Sequence, residues 1–123
     1  MTERIDPAAL RERLDKPEWM QPPWHDQHQI HVDACALALS ETRELEYLFI
    51  GDSITYGWQY AGEKPWLEHF AARSLNLAIG GDRTGHLLWR LTNNPHPTKL
   101  KPKHVVCLIG TNNVGVDGQN EDD

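Results

Sequence analysis

The stretch Tyr47-Leu48-Phe49-Ile50-Gly51-Asp52-Ser53-Ile54-Thr55 constrains the fold of this chain more than any other. It begins as four apolar or aromatic residues with no polar break and stops abruptly at Gly-Asp-Ser. An uninterrupted apolar run bounded by a turn signal reads as a strand buried on both faces of a parallel sheet. Glycine permits a tight turn at the carboxyl end of such a strand, which is where ligands and chemistry collect in open α/β sheets. A serine placed there beside an aspartate, Ser53 after Asp52, is a candidate nucleophile. Taken alone, the same residues read equally well as a turn with a capping side chain.

Two further apolar runs follow. Leu75-Asn76-Leu77-Ala78-Ile79 ends in Gly80-Gly81-Asp82, and His104-Val105-Val106-Cys107-Leu108-Ile109 ends in Gly110-Thr111-Asn112-Asn113. Between the strands the helical signals are clear. Pro65 opens a helix whose apolar face is Trp66, Leu67, Phe70 and Ala71. Asp82 is placed to cap a helix running to about Leu91, with Leu87, Leu88 and Leu91 inward. Tyr56 to Lys64 reads as a polar and aromatic loop, and Asn93 to Pro102, with three prolines, as a connector. Upstream, Asp6-Pro7 starts a short helix bearing Leu10 and Leu14, and the proline-rich segment from Lys16 to Trp24 is irregular. A longer helix is expected from about His25 to Leu39, with Ile30, Ala34, Leu37 and Ala38 as its buried stripe. The alternation of helix and strand gives an α/β fold with a parallel sheet and right-handed crossovers.

Composition narrows the function. The chain has 123 residues, enough for one compact domain. Twelve basic against 18 acidic residues give a formal charge of −6, so neither nucleic acid nor an anionic membrane is an expected partner. No apolar run approaches the ~20 residues of a membrane-spanning helix. Met1-Thr2-Glu3-Arg4-Ile5-Asp6 carries no apolar signal-peptide core, so the expected location is cytoplasmic. Cys35 and Cys107 do not make a disulfide scaffold or a zinc site, and each is expected to pack as a small apolar residue. His25, His28 and His31 share a helix, but i, i+3, i+6 drifts around it and no cysteine or carboxylate cluster completes a metal site. They are expected to be surface or boundary histidines, and no metal is expected.

In a parallel sheet the three glycine-containing strand ends lie along one edge. Ester acyl transfer needs a nucleophilic oxygen and donors aimed at the developing oxyanion. Ser53 would supply the first, and the N–H groups of Ser53 and Gly81 with the Asn112 amide the second. Singly, Gly80-Gly81 and Asn112-Asn113 are best read as turns. Jointly, three such ends on consecutive strands favour a site.

Phe49-Ile-Gly-Asp-Ser-Ile-Thr55 resembles the first block of the SGNH, or GDSL-type, hydrolases. Asn76-Leu-Ala-Ile-Gly-Gly-Asp82 resembles their second block and Leu108-Ile-Gly-Thr-Asn-Asn113 their third. The run Gly80 to Leu91 is similar to the branch containing the alpha subunits of platelet-activating factor acetylhydrolase IB. The resemblance covers about Trp24 to Gly115. It implies a flavodoxin-like three-layer α/β/α fold, here cut after the third strand of a five-stranded parallel sheet. It implies a carboxylic ester hydrolase acting on short acyl groups of lipids or sugars, without cofactor. Ser53 is the implied nucleophile; Gly81, Asn112 and the Ser53 amide are the implied oxyanion donors, with Asp52 in support.

The family's Asp-x-x-His block, whose histidine is the general base, has no counterpart after Asn113. The chain as given is therefore expected to have little or no activity, since an unassisted serine hydroxyl is a poor nucleophile. An uncovered edge is expected on the third strand, open to homo- or hetero-oligomers. The expected organisation is a lead-in over 1–24, a partial hydrolase domain over 25–115 and a disordered acidic tail over 116–123. The alternative is an inactive shortened relative serving as an interaction subunit. A phosphate- or nucleotide-binding module ranks last, because neither a G-x-x-x-x-G-K-[ST] loop nor a G-x-G-x-x-G fingerprint is present.

Overall fold

The computed structural model describes residues 22–115. The expected helix at Asp6-Pro7 and the tail over 116–123 lie outside the described residues. Helix α1 spans Pro22–Ser40, strand β1 Tyr47–Gly51 and the short helix α2 Ser53–Tyr56. A single 3-10 turn, Gly57–Gln59, leads to α3, Glu63–His69, and another, Ala71–Arg73, to β2, Ser74–Asn76. Helices α4, Thr84–Asn93, and α5, His96–Leu100, precede β3, His104–Leu108, and α6, Thr111–Gly115.

The described strands form one parallel sheet in the order β2-β1-β3, with Phe49 opposite Asn76 and Gly51 opposite Leu108. This is the expected mixed α/β architecture. Side chains alternate across β1, as a strand requires. Leu48 and Ile50 face a core completed by Cys35, Ala38, Leu45, Leu77, Leu87 and Leu100. Phe49 turns to the opposite face, where its ring lies 5.3 Å from Trp66 and 5.5 Å from Phe70. Helices α1, α4 and α5 thus cover one face and α3 the other.

The register puts Tyr47 and His104 at the amino ends of their strands, where their rings stack at 5.3 Å. The carboxyl ends of β1 and β3 close tightly on each other. A Cβ on Gly51 would collide with the Leu108 carbonyl oxygen, so only glycine ends β1 this way. Strand β2 is shorter than its apolar run. Its pairing with β1 nonetheless continues through Leu77 N–H to Phe49 O (2.8 Å) and Ile79 N–H to Gly51 O (3.2 Å). Asn76 makes the bend: its amide donates to Thr55 O and its oxygen accepts from Ala78 N–H.

Several expectations change. Of the expected stripe on α1 Ala38 is buried but Ile30 and Leu37 are exposed, and His28, His31 and Cys35 take the interior beside Ala38. His28 and His31 are thus interior residues rather than surface ones. His31 Nε2 lies 3.0 Å from Gln27 Nε2 while its buried Nδ1 has no hydrogen-bond partner among the described residues, and the His28 ring stacks on Trp24. Leu67, Leu88 and Leu91 are exposed, and α4 buries Gly85, His86, Leu87 and Arg90. The supposed connector contains α5, because Pro97 falls in the first turn, where a missing N–H costs nothing. The supposed loop after Tyr56 contains the first 3-10 turn. Cys35 packs as expected; Cys107, on β3, is exposed.

Candidate active site

Ser53 is the first residue of α2, immediately past the β1 carboxyl end, and its side chain is exposed. Asp52 is buried and caps the helix: its Oδ1 accepts from Ile54 N–H at 2.9 Å, and its carbonyl accepts from Tyr56 N–H at 2.9 Å. The aspartate therefore fixes the turn that lifts Ser53 out of the sheet. As the first helical residue, Ser53 directs its own N–H outside the intrahelical ladder.

The β2 end adjoins it. A Cβ on Gly80 would lie 3.8 Å from Ser53 Cβ. Asp82 N–H bonds Ile79 O at 3.3 Å, closing a turn whose third residue, Gly81, has φ +82°. That is the geometry of a type II turn, which calls for glycine at this position. Space beside Gly81 is open on the side where a Cβ would stand.

The β3 end is tied to the same turn. Asn112 Nδ2 donates to Asp82 O at 2.9 Å. Asn113 is buried and clamps the start of α4: its Oδ1 accepts from Thr84 N–H and its Nδ2 donates to Thr84 Oγ1, both at 2.9 Å. Of the two Asn112 side-chain N–H donors, Asp82 O engages one. Ser53, Gly81 and Asn112 therefore gather at one rim of the sheet.

Asp82 does not cap α4; Arg83 is the N-cap residue. Asp82 is fully buried, with Oδ2 accepting from Arg90 Nε at 2.8 Å and Oδ1 from Trp24 Nε1 at 2.6 Å. Burial pushes the Asp82 carboxyl above the usual carboxylate range, against the Arg90 charge and the Trp24 bond, and lowers Arg90. The sequence reading missed Arg90. The available signal was a charged residue one turn from Leu87 on the inward face of an amphipathic helix, which burial permits only with a partner.

The buried histidines lie behind this pair. His31 is held near pKa 4, from a usual 6.5, by burial, then by the Arg90 charge and His28. His28 is lowered for the same first two reasons. A histidine depressed in the fold binds its proton more readily when unfolded, so stability is full above about pH 6.5 and falls with acid toward pH 4. The loss assignable to His31 is about 3 kcal/mol across that window. Urea unfolding of wild type and His31→Gln at several pH values checks this: the wild type should lose stability more steeply, and parallel curves would rule it out.

Among the described residues no group of three or more His, Cys, Asp or Glu side chains is arranged to hold a metal, and no helix is long and apolar enough to cross a membrane.

A family model described as the GDSL-like Lipase/Acylhydrolase family matches residues 49–123. Platelet-activating factor acetylhydrolase IB subunit alpha2 of Gallus gallus is 41% identical over 93 residues, covering 75% of this chain and 37% of the relative. The alpha2 subunit of Homo sapiens is 40% identical over 91 residues, covering 73% and 36%. The alpha1 subunit of Bos taurus is 42% identical over 80 residues, covering 64% and 33%. The chain thus spans a little over a third of the length of the first two of these curated relatives.

Proposed function

The chain belongs to the GDSL-like lipase/acylhydrolase family, and on that premise we propose that it carries the nucleophile and oxyanion donors of a serine-dependent carboxylic ester hydrolase. The observation that carries the reading is the meeting of exposed Ser53, the glycine turn at 81 and the Asn112 amide. Ser53 Oγ attacks the ester carbonyl carbon, and the carbonyl π pair moves to oxygen. The N–H groups of Ser53 and Gly81 and the Asn112 amide stabilise that oxyanion, each donor worth about 10²–10³ in rate where such donors have been removed. Collapse expels the alcohol, and water then releases the acid from the acyl-serine. The substrates are short-acyl or acetyl esters of lipids or sugars, in keeping with the acetylhydrolase names of the relatives.

The proton leaving Ser53 needs an acceptor, and three of the described histidines are held away from it. His86 Nδ1 accepts from Arg83 N–H, His31 faces Gln27, and His104 stacks on Tyr47 at the opposite end of β1. The base is thus not read from this segment, whose share of the reaction is the nucleophile and the donors. The second reading, an interaction subunit without turnover, is favoured by β3, whose five residues are all exposed.

Fluorophosphonate treatment of the expressed protein, followed by peptide mapping, tests the assignment. The adduct is expected on Ser53, formed slowly because no general base assists the hydroxyl, and is absent from Ser53→Ala. An adduct that persists in Ser53→Ala refutes the nucleophile, and a folded protein that takes no adduct supports the second reading.

A further inference from the structure

The geometry points to Arg90 and Asp82 as positioning residues for this site: a buried guanidinium–carboxylate pair that sets the spacing of Ser53, Gly81 and Asn112. The inference rests on the roles proposed above for those three residues. Arg90 reaches the β1 and β2 ends directly and the β3 end through Asp82. Its Nη1 donates to Leu77 O, on the continuation of β2, and its Nη2 lies 3.4 Å from Gly51 O, two residues before Ser53. Its Nε holds the carboxylate of Asp82, the residue that closes the turn bearing Gly81. The main-chain oxygen of the same Asp82 receives the Asn112 amide from the β3 end.

Three strand ends are therefore referred to one side chain and its counter-ion. A planar guanidinium with five fixed donors serves several acceptors in set directions; an ammonium is a compact point charge. Trp24 completes the clamp from α1, its indole N–H fixing the second carboxylate oxygen. Asp82 is fully buried and Arg90 is 4% exposed, so neither meets a substrate and both act through the groups they hold. A displacement of about 1 Å in such groups costs about 10²-fold in rate.

The experiment compares wild type, Arg90→Lys and Trp24→Phe by heteronuclear NMR and by the rate of Ser53 adduct formation with a fluorophosphonate. Arg90→Lys keeps the charge and loses the fork; Trp24→Phe keeps an aromatic ring among His28 and Trp89 and removes the bond to Asp82. Expected in Arg90→Lys are displaced Gly81 N–H and Asn112 side-chain amide resonances, with Leu48 and Leu87 methyl signals in place and adduct formation slowed about 10²-fold. Trp24→Phe should move the same resonances less, and it decides the matter if Arg90→Lys does not fold. Unmoved Gly81 and Asn112 resonances in a folded variant overturn the inference, even where stability has dropped. Absence of a Ser53 adduct in wild type counts against the nucleophile alone, while the resonances still decide the positioning role.

Discussion

Asp82→Ala is expected to lower the unfolding free energy by about 3–5 kcal/mol, the range for breaking a buried ion pair from one side. The cost arises mainly from what remains. Arg90 would keep its charge at 4% exposure with no counter-ion, and the Trp24 indole N–H would lose its acceptor. The pair itself is no measure of stability, because burial already works against both charged forms. A double variant, Asp82→Leu with Arg90→Met, should therefore recover most of the loss while leaving the turn at Gly81 without its anchor. Urea unfolding of Asp82→Leu, Arg90→Met and the double variant gives the coupling directly. A cost below about 1 kcal/mol for Asp82→Ala, the level of an exposed ion pair, would show that water reaches the pair and that it holds nothing.

Phe49→Ala is expected to cost a similar amount, about 3–5 kcal/mol, for a different reason. Phe49 is 6% exposed at the centre of the face opposite the aliphatic core. Its ring packs edge-on against Trp58, Trp66 and Phe70 at centroid distances of 6.2, 5.3 and 5.5 Å. Truncation leaves a void between β1 and α3 that rigid aromatic neighbours fill poorly. Phe49→Leu should cost less than half as much. Chemical denaturation checks the size, and the near-ultraviolet circular dichroism of the neighbouring tryptophans should weaken in the alanine variant alone. Domains are stable by only about 5–15 kcal/mol, so either alanine substitution consumes much of the margin.

The two substitutions separate what the sequence made legible from what it concealed. Phe49 belongs to an apolar run that identifies its strand without help, and the three glycine-containing strand ends forecast the rim where Ser53, Gly81 and Asn112 meet. Asp82 and Arg90 were opaque for a physical reason. An aspartate before a helix is usually a cap, and an arginine on a helix usually snorkels to water. Only the fold brings position 82 within reach of position 90 and of Trp24, 58 residues upstream. Helix α1 misled in the opposite way. Its aliphatic Ile30 and Leu37 advertise a buried face, yet the interior is taken by His28, His31, Cys35 and Ala38. Hydrophobic periodicity cannot register a buried imidazole, here held against Trp24 or Gln27 one turn earlier on the same helix. Helix α5 was hidden by prolines that, in its first turn, act as initiators.

Strand β3 completes the rim and is exposed along all five of its residues, with Val105, Val106 and Leu108 each 41–55% exposed. Among the described strands it pairs only with β1, so its outer backbone is a ladder with one rail. Any extended peptide that drifts alongside finds a template there. The colloidal behaviour of the chain then becomes a contest between this adhesive seam and the mutual repulsion of copies that each carry a formal charge of −6. Added salt, by screening that repulsion while leaving the seam untouched, tilts the contest toward coalescence.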